Sequence, residues 1–246
     1  HLYYDDMYNN LDNVLEDALN NGVEKIVCIG TDLNTSKQSI DIADKYDNVY
    51  ASVGIHPHDS KDVNKDYIKN LETLALSSKK VVAIGEIGID HYRNISPQDI
   101  QKKVMIEQME LANSLSLPII FHNRDADRDI LEVLKHHPFQ RALAHCYSSD
   151  LSFAEKLLDL NVLLSFSTFP AYFYTFKHLL TFDYIMKHFL TFNCVMKHFL
   201  TNNCIPQHFL TFNCIMKHFM TFNCIIKKFL KSNCIVKHFL ALSYIF

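Results

Sequence analysis

Residues 117–122, LPIIFH, run apolar and β-branched and then stop on a histidine. The arrangement recurs along the chain, with GIHPH at 54–58 and GEIGID at 85–90 upstream and AHCYS at 144–148 downstream. Each puts a His or Glu just past an apolar run, and strand ends are where parallel α/β proteins build their sites. Working outward, residues 8–170 alternate short β-branched runs with longer amphipathic stretches, the pattern of βα units around a parallel sheet. Strands are predicted at 25–30, 49–55, 81–85, 117–122, 142–145 and 162–166. Helices are predicted at 10–20, 35–46, 65–77, 97–115, 126–136 and 151–160. The helix at 97–115 is the clearest, with Ile100, Val104, Met109, Leu111 and Leu115 on or near one face and Pro97 near its start. Strands this apolar are expected to be buried on both faces. Six successive units favour a barrel over a doubly wound sheet, so the expected fold is α/β, a (β/α)8 TIM barrel.

The length of 246 residues suits one such barrel, and 48% hydrophobic against 21% charged residues excludes a disordered tail protein or a disulfide miniprotein. A net charge of −3 gives no global basic excess that would announce a nucleic-acid partner. These averages conceal two unlike parts. All five glycines fall at or before Gly88, and residues 171–246 hold eight lysines against one acidic residue, Asp183. The tail is therefore +7 and residues 1–170 carry −10. The chain opens on His1 rather than Met, which reads as processing or a fragment, and no signal-like segment precedes the domain. Seven cysteines, five of them in the tail, have no framework spacing, so a reduced, cytoplasmic setting is expected.

After Phe173 a ten-residue repeat takes over: TFDYIMKHFL, TFNCVMKHFL, TNNCIPQHFL, TFNCIMKHFM, TFNCIIKKFL, KSNCIVKHFL. On a helix, ten residues advance by roughly 1000°, turning each copy by about 80° from the last, so no common apolar stripe survives. A strand fares no better, because neither alternate set of residues is cleanly polar. A membrane span is excluded by the Lys-His pair or its equivalent in every copy, where about 20 apolar residues are needed. Cys194 and His198, with three similar pairs, would sit one helical turn apart, but this ladder follows automatically from copying one decapeptide. The expected organisation is a domain at 1–170 and a low-complexity repeat tail at 171–246.

The strand ends supply one carboxylate, Glu86, and several imidazoles, a donor set suited to Zn²⁺, Mn²⁺ or a similar cation. Such a cation can turn water into a nucleophile, so the constellation reads as a metal hydrolase. Taken singly, His122 or His145 reads as a hydrogen-bonded rim residue, and Glu86 as a cap or ion-pair residue. Four such placements in successive units tip the balance towards a site. His136 and His137 end a helix, where a cation complements the dipole, and both read as structural. Arg124 either clamps a phosphate or pairs with Asp125 or Asp127.

GIHPH at 54–58, GEIGIDHYR at 85–93, QKKVMIEQMELANSLSLPIIFHNRDA at 101–126 and HCYSS at 145–149 resemble the TatD family of metal-dependent deoxyribonucleases, (β/α)8 barrels of the amidohydrolase type. The likeness runs from residue 1 to about 176, in the family's order and spacing. It implies up to two divalent metal ions, Mg²⁺, Mn²⁺ or Zn²⁺, bridged by Glu86. His122 and His145 would complete one site, and His1, matching the end of the family's opening His-x-His-Leu, would serve the other. Glu86, His122 and His145 are thus the expected catalytic residues, and His56, His58 and Arg124 would face the substrate phosphate. The implied substrate is DNA, with no membrane or protein partner.

Departures from the family pattern accompany the matches. The first His of the opening pair and its strand are absent, and the last strand with its Asp-x-Pro is not found. Only Asp183 is acidic after Asp159. His91 replaces the usual Tyr, and Ser149 the usual Gly. The resemblance covers about six of eight strands, so an incomplete barrel is expected. The reading is a DNA phosphodiester hydrolase. The alternatives are an inactive remnant of that family, or a hydrolase of the same superfamily acting on amides or esters.

Overall fold

The computed structural model describes residues 1–166. The repeat tail and the expected boundary at 170/171 lie outside the described residues.

Six parallel strands form one sheet: β1 (Ile26–Ile29), β2 (Val49–Val53), β3 (Val81–Asp90), β4 (Ile119–Arg124), β5 (Ala142–Ala144) and β6 (Val162–Leu164). Their spatial order is their chain order, β1-β2-β3-β4-β5-β6. A doubly wound sheet reverses direction at a switch point, whereas here each unit adds beside the last, as in a TIM barrel. The expected fold class holds, with six strands among the described residues.

Two helices precede β1, α1 (Asp5–Tyr8) and α2 (Leu11–Asn20), and five follow strands: α3 (Leu33–Lys45), α4 (Tyr67–Ser77), α5 (Gln98–Ser114), α6 (Asp127–His136) and α7 (Leu151–Asp159). Local chemistry starts and stops them. Asp32 caps α3 by accepting the Thr35 N–H at 2.6 Å, and Asp150 caps α7 by accepting that of Phe153 at 2.8 Å. At the end of α6, His136 Nδ1 donates to the Glu132 carbonyl, the helix-end role expected of it.

β3 differs from expectation. It does not stop at Gly85 but continues to Asp90, so Gly88 as well as Gly85 is a strand residue. Their lack of a side chain serves the neighbouring strand: a Cβ on Gly85 would strike the Ile120 carbonyl, and one on Gly88 the His122 carbonyl. Gly88 also holds φ at +133°, which L side chains rarely adopt. The ladder shifts register between Ile84 and Ile87, then pairs Gly88 with His122 and Asp90 with Arg124.

Apolar residues divide into two clusters. The larger packs the outer face of the sheet against the helices and includes the fully buried Leu71, Met105, Phe121, Ile130 and Leu157. A smaller one takes one residue from each of four strands, Ile29, Ala83, Ile120 and Leu143. Ile120 shares a strand face with His122, so this inner cluster forms an apolar floor beneath the polar residues at the strand ends.

Candidate metal centre

The C-terminal ends of the strands and the chain start bring the predicted residues together. Glu86 lies within β3 and His122 within β4, while His145 follows β5 directly and His56 and His58 follow β2. Two groups offer ligand atoms all within 4.8 Å of one another, His1 with Glu86 and His145, and His56 with Glu86 and His122. Glu86 is common to both. The expected trio of Glu86, His122 and His145 is thus divided: His122 stands with His56, and His145 with His1.

Glu86 is 4% exposed, and its two oxygens look in different directions. Oε1 lies 3.4 Å from His122 Nδ1 and Oε2 lies 4.0 Å from His1 Nε2. Burial alone would push this carboxyl up, but the His122 hydrogen bond and the imidazoles of His145 and His56 bring it down to about 2. A buried ionised carboxylate among ring nitrogens is the donor set a divalent cation requires.

Neighbouring contacts fix which ring nitrogens are available. His1 Nδ1 meets the Ile29 carbonyl at 2.9 Å, and a carbonyl only accepts, so the proton sits on Nδ1 and the Nε2 lone pair is left towards Glu86. His56 is the reverse case. Its Nδ1 accepts the His58 backbone N–H at 3.2 Å, while burial lowers its pKa to about 4. Neutral His56 therefore carries its proton on Nε2 and is a donor. Beside His145, burial and the charge of Glu86 push the Cys146 thiol up to about 11, so it remains a neutral thiol.

Three residues that sequence reasoning did not select hold this cluster. Asp90 Oδ2 accepts from His58 Nε2 at 2.9 Å and from His122 Nε2 at 3.1 Å. Gln101 Oε1 accepts the Asp90 N–H at 2.7 Å, and its Nε2 donates to the Asp90 carbonyl at 3.2 Å. Gln108 does the same for Ile55, next to His56, at 2.7 and 3.1 Å. Both glutamines are fully buried on α5. Signals existed for all three: Asp90 lies two and four residues from Gly88 and Glu86 on a strand of period two, and the glutamines are seven apart on a helix.

Arg124 does not pair with Asp125 or Asp127 in the structure. Its guanidinium carbon lies 3.9 Å from the ring centroid of Tyr92. Asp127 instead accepts from Asn123 Nδ2 and Ser149 Oγ. His91 Nε2 meets Asp129 at 2.8 Å, away from Glu86.

A sequentially ordered parallel sheet with one carboxylate set between two groups of imidazoles defines a TIM-barrel protein of the metal-dependent hydrolase type. The chain belongs to the TatD related DNase family, which matches residues 1–178. It is 36% identical over 168 residues to the uncharacterized metal-dependent hydrolase YabD of Bacillus subtilis (strain 168), covering 68% of this chain and 66% of that one. Against the 3'-5' ssDNA/RNA exonuclease TatD of Klebsiella pneumoniae (strain 342) the identity is 33% over 155 residues, or 62% of this chain and 59% of that one. Among solved structures, YjjV, a TatD homolog from Escherichia coli K12, superposes with a TM-score of 0.64 at 26% identity, covering 67% of this chain and 64% of that one. The chain thus spans less than two thirds of the length of these relatives. No helix among the described residues is long and apolar enough to cross a membrane.

Proposed function

We propose that the chain is a metal-dependent hydrolase that cleaves phosphodiester bonds of DNA at the Glu86 centre. The observation that carries this reading is the sharing of Glu86 by two groups of ligand atoms. His1, Glu86, His122 and His145 are the residues that would hold up to two divalent cations, and their donor set fits Mg²⁺, Mn²⁺ or Zn²⁺. A cation bound there supplies a Lewis acid for the phosphoryl oxygen and lowers the pKa of water. The name of the Klebsiella relative, a nuclease of single-stranded DNA and RNA, supports nucleic acid as the substrate class.

The protein's own residues supply binding and orientation. His56 presents Nε2–H as a neutral donor to a phosphate oxygen, a role that its tautomer favours over ligation. Arg124 adds donors on the same side, and His58, whose Nε2–H is held by Asp90, lines the site next to His56. The inner apolar cluster closes the floor, so charges on the site act in a medium of low dielectric. Residues 1–170 form the hydrolase unit in this proposal and 171–246 a separate repeat. The setting is cytoplasmic, in keeping with free thiols at Cys28 and Cys146.

A second reading, a chain that binds metal without turnover, is favoured by one observation: no Asp-x-Pro follows Asp159. One experiment separates the two. The full chain with Mn²⁺ is incubated with an end-labelled single-stranded oligonucleotide beside Glu86→Ala, and metal binding is followed by calorimetry. Cleavage and metal binding that are both lost in Glu86→Ala support the hydrolase. Metal binding without cleavage supports the second reading, and equal metal affinity in both proteins sinks the Glu86 centre.

A further inference from the structure

The mouth of the Glu86 centre carries an exposed tyrosine that the reaction described above does not use. Tyr92 follows Asp90 by two residues, is 62% exposed, and has the Arg124 guanidinium 3.9 Å from its ring centroid. Sheet register fixes where the pair sits. Asp90 pairs with Arg124 on the ladder, two residues beyond the pairing of Gly88 with His122. Residues two apart on a strand share a face, so Arg124 continues the His122 row about 6–7 Å further towards the open end. The Tyr92 ring is braced by a delocalised cation while most of the residue stays in solvent, and stacking leaves the guanidinium N–H edge free for phosphate. Proteins that hold single strands combine these two elements, an aromatic face for the base and a cation for the backbone.

We propose that Tyr92 and Arg124 form a nucleobase-stacking subsite that holds the nucleotide next to the phosphodiester bound at the Glu86 centre. The inference rests on the nucleic-acid reading above. It assigns Tyr92 to the base and the N–H edge of Arg124 to the adjoining phosphate. Base stacking tolerates any sequence, because every base has a π-face, so the subsite gives single-strand preference without base specificity.

The test is binding of a fluorescein-labelled, phosphorothioate-linked ten-nucleotide oligothymidylate to the full chain in excess Mn²⁺, read by anisotropy. Tyr92→Phe is expected to bind like the unaltered protein, and Tyr92→Ala about tenfold more weakly. An abasic oligonucleotide of the same length and linkage is expected to bind the unaltered protein and Tyr92→Ala alike. Equal affinity of these two proteins for the oligothymidylate overturns the subsite and leaves the nucleic-acid reading standing. No binding to the unaltered protein overturns that reading and the subsite with it. The sequence contains no tryptophan, so Tyr92→Trp also places a single fluorophore at the ring. Quenching by the oligothymidylate and not by the abasic strand is expected, and equal response to both counts against stacking.

Discussion

Asp90 Oδ2 accepts a hydrogen bond from His122 Nε2 at 3.1 Å, while the other nitrogen of the same ring faces Glu86 Oε1 at 3.4 Å. One imidazole is thereby held between two carboxylates of a single strand. Burial pushes the Asp90 carboxyl up, but the Arg93 N–H and the His58 ring outweigh it and hold the group below the usual carboxylate range. Asp90 therefore acts through His122 and His58 as a positioning residue. Asp90→Asn is expected to keep the fold, by circular dichroism, and to weaken divalent-metal binding about 10- to 100-fold by calorimetry. Unaltered affinity would mean that His122 needs no orienting partner.

Gln101 and Gln108 predict a cost in stability rather than in chemistry. Each satisfies both backbone groups of one residue, Asp90 or Ile55, inside the fold. Replacement by leucine keeps the apolar bulk but strands buried backbone groups at about 1–3 kcal/mol apiece. For Gln108 these are the Ile55 N–H and C=O, and for Gln101 the Asp90 N–H and Ser96 C=O, since the Asp90 carbonyl keeps the Asn94 N–H at 3.3 Å. Gln101→Leu and Gln108→Leu are each expected to lose about 2–6 kcal/mol, read from the midpoint of urea unfolding at unchanged slope. A loss below about 1 kcal/mol would show that neighbouring groups take over those bonds.

These contacts also mark where sequence reading stopped. The six strands and most helices were legible because hydrophobic period and chain order are local properties, and His122 or His145 announces itself by ending an apolar run. The end of β3 was not. The strand is expected to end at Gly85, and Gly88 shows its place in it only when the His122 carbonyl of the next strand is beside it. The spacing of Gln101 and Gln108 places them on one helix face, but the partner of Gln108, Ile55, is 53 residues away in the chain and only the fold brings them together. His56 was read as facing phosphate through family likeness. In space its ring lies 4.7 Å from that of His122, and only the His58 backbone N–H, which Nδ1 accepts and which leaves the ring proton on Nε2, separates a donor from a ligand.

His56 gives the metal-free protein a pH dependence of definite sign. Burial lowers its pKa from 6.5 to about 4, with partial compensation from Glu86. Between those values the unfolded imidazole binds a proton that the folded one refuses, so stability rises with pH across that window. The contribution is complete above 6.5 and is lost as pH falls towards about 4, with a ceiling of about 3 kcal/mol. Urea unfolding at about pH 7 and about pH 5 is expected to show a smaller difference for His56→Asn than for the unaltered chain. The same difference in both proteins would remove His56 as the source.

The sharing of Glu86 predicts an asymmetry among its partners. His145 and His1 meet Glu86 on one side and His56 and His122 on the other, so a substitution on one side leaves the second group with its carboxylate. Titration of the full chain with Mn²⁺ or Zn²⁺ is expected to lose one binding event in His145→Ala and a different one in His122→Ala. Glu86→Gln keeps the shape but removes the charge, and both events are expected to go. Ligand binding to the folded state raises its stability by mass action, so the rise in Tm on adding metal should shrink in each histidine variant and vanish in Glu86→Gln. Should Glu86→Gln retain one full binding event, the carboxylate would serve a single ion, and the two groups would be separate sites rather than one bridged centre.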